Sequence, residues 1–139
     1  MPDLFSVAQR QRIMRSIGSK DTRPELAVRH LVYALGFRYR LHVASLPGKP
    51  DIVFPGKRKI IFVNGCFWHR HTCKKGQSTP MSRRAFWVKK LEANRRRDNT
   101  IRCRLRQAGW RCLIIWECQI VPRRIASLEQ RVKKFLSLN

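Results

Sequence analysis

Acidic residues are scarce in this chain. Eight Asp and Glu stand against 31 Lys and Arg, a formal net charge of +23. Solubility needs far less, so the balance excludes a cationic partner and points to a polyanion, with nucleic acid first. Each carboxylate also opposes the overall bias, so each requires a reason. Long apolar runs are missing too, and none approaches the ~20 residues that span a bilayer. No lipidation signal is present, and Met-Pro-Asp-Leu-Phe-Ser-Val-Ala-Gln-Arg lacks the apolar core of a signal peptide. The expectation is therefore no membrane and a cytoplasmic, nucleoid-associated location. A disulfide framework is not suggested either: five cysteines is an odd number, and their spacing suits metal in a reducing compartment. Repeats, linkers and low-complexity tracts do not interrupt the chain.

What is present fits one domain over residues 1–139, and 43% hydrophobic residues suffice for one core. Residues 6 to 17 read as a basic amphipathic helix capped by Ser6, with residues 1–20 expected against DNA. Thr22 with Pro24 and Glu25 opens a second helix that ends at Gly36 and carries Val28, Leu31, Val32 and Leu35 as its apolar stripe. Phe37 to His42 alternates as a strand. A turn-rich Ser45-Leu46-Pro47-Gly48-Lys49-Pro50 then delivers Asp51 to Ile52-Val53-Phe54, and Pro55-Gly56 closes a hairpin with Lys59 to Val63. After a basic loop over 74–81, a helix runs from about Ser82 to Ala108. Arg111 to Trp116 is another strand, and a packing helix capped by Ser127 ends the chain. The alternation predicts an α/β fold, a mixed sheet of about four strands flanked by helices.

The densest chemistry lies in Phe62-Val-Asn-Gly-Cys-Phe-Trp-His-Arg-His-Thr-Cys73. Cys66, His71 and Cys73 have the spacing of metal ligands, and Cys118 is the candidate for a fourth. A Cys₃His set suits a closed, structural zinc site, whereas the plain alternative is buried cysteines beside a satisfied histidine. If these residues turn to the metal, His69 is left free for chemistry.

The remaining readings concern acids and aromatics. Asp51, after Pro50 at the head of a buried strand, is either a turn cap or a ligand for Mg²⁺ that polarises phosphate. Glu25 is sufficiently explained as a cap. Asn94 and Asp98 share the apolar face of the long helix with Leu91, Ile101, Leu105 and Ala108. Asp98 is thus either a salt-bridge partner of the neighbouring arginines or support for a catalytic shell. Phe86 and Trp110 are read as core. Phe67 and Trp68 stand in a loop between metal ligands, where rings could enter a base stack.

Gly65-Cys66-Phe67-Trp68-His69, with His71 and Cys73 after it, resembles the centre of the very short patch repair DNA mismatch endonucleases. The resemblance continues through Met14-Arg15-Ser16-Ile17, Ser45 to Asp51, Phe86-Trp87, Arg97-Asp98, Gly109-Trp110-Arg111 and Trp116-Glu117-Cys118, nearly the whole chain in order. It implies a restriction-endonuclease-like fold and Mg²⁺-dependent nicking of double-stranded DNA at a T:G mismatch. Asp51 and a backbone carbonyl near Val63 would hold Mg²⁺ and His69 would be the general base, with Glu25 and Asp98 in support. Met14 would reach the minor groove, and Phe67, Trp68 and Trp87 would form the wedge. The resemblance also implies a monomer and a cytosine methyltransferase as functional neighbour. The second acid and lysine of PD-(D/E)xK nucleases are absent from Ile61-Phe62-Val63-Asn64, as in this branch. One position departs from the family: Asn64 stands where its best-known members have histidine, and it cannot exchange a proton near neutral pH. Two rivals stand beside this reading: a restriction-type nuclease on matched DNA, and a non-catalytic zinc-containing nucleic-acid-binding module.

Overall fold

A computed structural model describes residues 22–67, 71, 73–77 and 79–137. The first expected helix with Met14, and the loop residues Trp68 and His69, lie outside the described residues.

The first described helix, α1 (Arg23–Ala34), starts where its sequence signal placed it. The Glu25 N–H donates to the Thr22 hydroxyl at 3.4 Å and Pro24 fills the first turn. Gly36, at φ +94°, reverses the chain after it. Strand β1 is only Arg40–Leu41, shorter than the alternation over 37–42 suggested. Phe37 and Tyr39 pack on the core from outside the ladder, and His42 leaves extended geometry at φ +48°. Strands β2 (Ile52–Phe54) and β3 (Lys59–Asn64) form the expected antiparallel hairpin, with Ile52 opposite Ile61.

The short turn α2 (Lys74–Gln77) occupies part of what reads as a basic loop. The long helix α3 (Arg84–Gln107) then provides the crossover that a parallel neighbour requires, and β4 (Arg111–Trp116) pairs parallel to β3. Helix α4 (Ile125–Ser137) follows. Ser127 lies inside α4 rather than capping it, because a 3₁₀ turn at Pro122–Arg124 already sets the helical direction.

The sheet order is β1-β2-β3-β4, a mixed four-stranded sheet, and its period-two alternation builds two cores. Ile52, Phe54, Ile61 and Ile115 face α1 and α4, meeting Val28, Val32, Leu128, Val132 and Leu136. Val53 and Ile60 face α3 and meet Leu105, with Ile101 and Trp110 beside them. On α3, Leu91 and Leu105 are buried and Asn94, Asp98 and Ile101 half-buried, so the inward stripe holds, whereas Ala108 is exposed. Phe86 is not core: it is 45% exposed and packs edge-on against Trp87.

Lys59 is the least expected member of the interior, 2% exposed. Its ammonium donates to the Phe135 carbonyl in the last turn of α4, where helix carbonyls lack partners and a cation is favoured. Burial first, then the nearby Lys57 and Arg111, lower its pKa from the ordinary value.

Candidate functional site

Two groups of ligand-bearing side chains sit at one end of the hairpin and its parallel neighbour. The first follows from register. Asn64 lies opposite Trp116, so two residues further along each chain Cys66 and Cys118 emerge side by side. The Cys66 N–H donates to the Glu117 carboxylate at 3.1 Å, tying the two strand ends together. The His71 N–H donates to the Cys66 carbonyl at 3.0 Å, which closes the intervening loop. The His71 ring stacks on Trp116, centroids 4.2 Å apart and 16° from parallel, and its Nδ1 lies 3.5 Å from Cys118 Sγ.

The ligand atoms of Cys66, His71, Cys73 and Cys118 all fall within 4.8 Å of one another. A tetrahedral ion with thiolate and imidazole ligands places them about 3.5–3.8 Å apart, so the set needs only a small contraction to bind one. Its protonation chemistry agrees. Burial, the largest influence, pushes the Cys66 thiol up to about 12, so that without a cation it stays protonated, and binding an ion would release that proton. Burial and then Arg124 lower the His71 pKa, favouring the neutral imidazole that metals take. Gly76 completes the loop, since a Cβ there would run into the main chain of His71.

The second group is Glu25, His42 and Asp51, again with ligand atoms within 4.8 Å of one another. Asp51 is held by main chain on both sides. Its Oδ2 accepts the Val63 N–H at 3.0 Å, and its carbonyl accepts the His42 N–H at 3.2 Å. The loop before it is pinned to α3 at Gly48, φ +78°, where a Cβ would meet Ile101 at 2.6 Å. Glu25, 3% exposed, accepts from Arg29 at 2.9 Å. Arg29 also lies 3.0 Å from His42 Nε2, which is 3.7 Å from the Glu25 carboxylate. Glu25 is therefore more than part of a helix cap: its N–H is taken up by the capping Thr22 hydroxyl while its carboxylate turns into a charged cluster.

His42 and Arg29 were not singled out from the sequence. The available signal was register. Leu41 pairs with Ile52, so one step beyond the ladder His42 comes opposite Asp51. Its left-handed backbone is uncommon outside glycine and costs of order 1–3 kcal/mol when imposed.

Among the other expected site residues, Asn64 is buried at the end of β3, one residue past the Asp51 contact. Phe67 and Trp87 come together, centroids 5.9 Å apart at 58°. Asp98 is half-buried on α3 and belongs to neither ligand group among the described residues.

Known proteins resemble this chain along most of its length. A family model described as DNA mismatch endonuclease Vsr matches residues 2–75, a span that includes Glu25, His42, Asp51, Asn64, Cys66, His71 and Cys73. The type II nicking enzyme V.XorIIP of Xanthomonas oryzae pv. oryzae is 46% identical over 136 residues, 98% of each chain. The DNA mismatch endonuclease Vsr of Escherichia coli is 41% identical over 123 residues, 88% of this chain and 78% of its own. The type II nicking enzyme V.NmeAIP of Neisseria meningitidis is 38% identical over 125 residues, 90% and 89% of the two chains.

Proposed function

This chain belongs to the family of the DNA mismatch endonuclease Vsr, and from that membership we propose that it nicks one strand of duplex DNA at T:G mismatches. It is an endonuclease, a hydrolase of phosphodiester bonds, acting in mismatch repair. A T:G pair is what deamination of 5-methylcytosine leaves behind, so a cytosine methyltransferase is the functional neighbour. The enzyme acts as a monomer, consistent with the mutual repulsion of chains carrying +23. Its mixed four-stranded sheet between helices supports the reading of a restriction-endonuclease-like domain.

The observation that carries the reading is Asp51 fixed against the main chain of Val63, with Glu25 and His42 alongside. Asp51 and the Val63 main chain are the residues that would hold Mg²⁺, since hard cations take carboxylate and carbonyl oxygen. When bound, that ion polarises the scissile phosphate and offsets charge gathering on it. His69 accepts the proton of the attacking water as general base. The water oxygen bonds to phosphorus while the bond from phosphorus to the leaving sugar oxygen breaks. Asn64 hydrogen-bonds near the phosphate but takes no proton. Glu25, and Asp98 on α3, support the centre without touching the reacting atoms.

Zn²⁺ at Cys66, His71, Cys73 and Cys118 is structural in this reading, all four positions being taken by protein. It fixes the loop that carries both His69 and the aromatic residues. Phe67, Trp68 and Trp87, with Met14 from the N-terminal region, open the base stack. Unstacking costs a few kcal/mol and least where the pair is already mismatched.

The test is strand nicking of two oligonucleotide duplexes, one T:G and one matched, with and without Mg²⁺. Wild type should cut only the T strand of the mismatch and only with Mg²⁺, and Asp51→Ala should abolish it. Equal cutting of the matched duplex would replace this reading with a restriction-type nuclease. Retained binding without cutting, over many T:G contexts, would leave a chain whose catalysis Asn64 has disabled.

A further inference from the structure

Among the described residues, strand β4 ends the sheet and is poorly covered. Of its six residues only Ile115 is buried, whereas all three of β2 are. The main-chain hydrogen-bonding groups of β4 divide between the two sides of the strand. The Arg111 N–H donates to the Arg58 carbonyl, so Arg111, Leu113 and Ile115 turn their main chain to β3. By the alternation of a parallel ladder, Cys112, Ile114 and Trp116 turn theirs outward. The Trp116 N–H confirms the pattern, since it is met from outside by the Gln119 side chain at 3.1 Å.

Along this open edge, α3, β4 and α4 enclose a groove of ≈ 590 Å³. Leu113, Ile114, Trp110 and Phe135 supply its apolar lining. Arg102 and Arg106 from α3, Arg111 from β4 and Arg131 from α4 line it as well, and no acidic residue joins them among the described residues. The groove runs beside the first four residues of β4, on its outer edge, while the Cys/His group lies past the other end of the strand, beyond Asn64 and Trp116, and Asp51 stands at the head of β2, two strands across the sheet from β4. It is therefore separate from the nicking site.

We propose that this edge is a docking groove for an extended acidic segment of a partner protein, which adds to the sheet as a strand beside β4. An unpaired edge offers a template of backbone donors and acceptors. Four arginines supply the complementary charge for Asp and Glu side chains, and Arg takes carboxylates through paired N–H bonds. A second copy of this chain fits poorly, because two surfaces of +23 chains repel. Duplex DNA satisfies the arginines but neither the apolar lining nor the outward main chain, so the groove's chemistry favours peptide.

The experiment measures amide hydrogen exchange in the full-length ¹⁵N-labelled protein, alone and with a short synthetic peptide alternating Glu and Val. Strand addition should slow exchange at the Cys112 and Ile114 amides by about tenfold or more. Charge reversal of Arg102 and Arg106 to Glu should remove that protection and leave the single-turnover nicking rate at saturating protein unchanged, whatever it costs in general affinity for DNA. Unchanged exchange at both amides in the presence of bound peptide would overturn the proposal, because diffuse attraction to a basic surface protects no particular amide. A matched DNA duplex displacing the peptide, together with impaired nicking in the reversed variant, would overturn it in favour of a nucleic-acid surface. The amide readout on wild type stands even if the variant fails to fold.

Discussion

At the scale of single residues, Asp51 and His42 show how differently a site can be written in a sequence. Asp51 is announced by Pro50 and by the strand after it, and the structure places its carboxylate on Val63. His42 joins the same cluster only through the pairing of β1 with β2, a contact that no local spacing encodes. Its place beside Glu25 and Arg29 makes it an orienting group for the acids, and losses of such supporting groups typically cost 10–100-fold in activity or metal affinity. His42→Asn is the informative change, because Asn tolerates the observed φ of +48°. Single-turnover nicking should fall by roughly tenfold or more, and more Mg²⁺ should be needed for half-maximal rate, with the melting temperature little changed. An unaltered Mg²⁺ titration would reduce His42 to scaffolding.

At the scale of elements, the candidate Cys/His cluster was legible because three of its four members, Cys66, His71 and Cys73, lie within one loop. Cys118 was legible because it follows an apolar strand. Helix α1 was legible from Thr22, Pro24 and Gly36. Less was legible where two distant elements define a residue's surroundings. Phe86 reads as core by type, yet at the start of α3 it has Trp87 and Arg83 for neighbours and remains 45% exposed. Gly76 looks like one residue of a flexible loop, but its missing side chain lets α2 close on His71. Gly76→Ala should therefore lower the metal bound per purified chain, with a parallel loss of thermal stability. Normal zinc content by elemental analysis would refute that role. Lys59 gives a test at the junction of β3 and α4. Its folded-state pKa is depressed below the ordinary 10.5, so the folded protein gives up this proton before the unfolded chain does. Stability is then gained as pH rises from that depressed value toward 10.5. Relative to Lys59→Met, which cannot titrate, wild type should become steadily more stable over that alkaline window. A constant difference in melting temperature would mean that Lys59 is not held in the dry site described.

For the whole molecule, the proposed wedge divides the work of finding a mismatch between the charge of +23 and the aromatic residues. Lysine and arginine neutralise phosphates whatever the sequence, so they set affinity and its salt dependence. The pair formed by Phe67 and Trp87 has no charge to lose, and as a wedge its contribution would depend on how easily a base pair opens. Affinity for matched and mismatched duplex should therefore fall with nearly the same slope on a logarithmic salt axis, leaving their ratio almost constant. Trp87→Ala should shrink that ratio and leave the slope alone. Replacing an exposed arginine of α3 that contacts phosphate should instead reduce the slope by about one and preserve the ratio. Crossed results, with the aromatic change altering the slope or the arginine change altering the ratio, would mean that recognition of the mismatch is electrostatic, and the wedge would have to be abandoned.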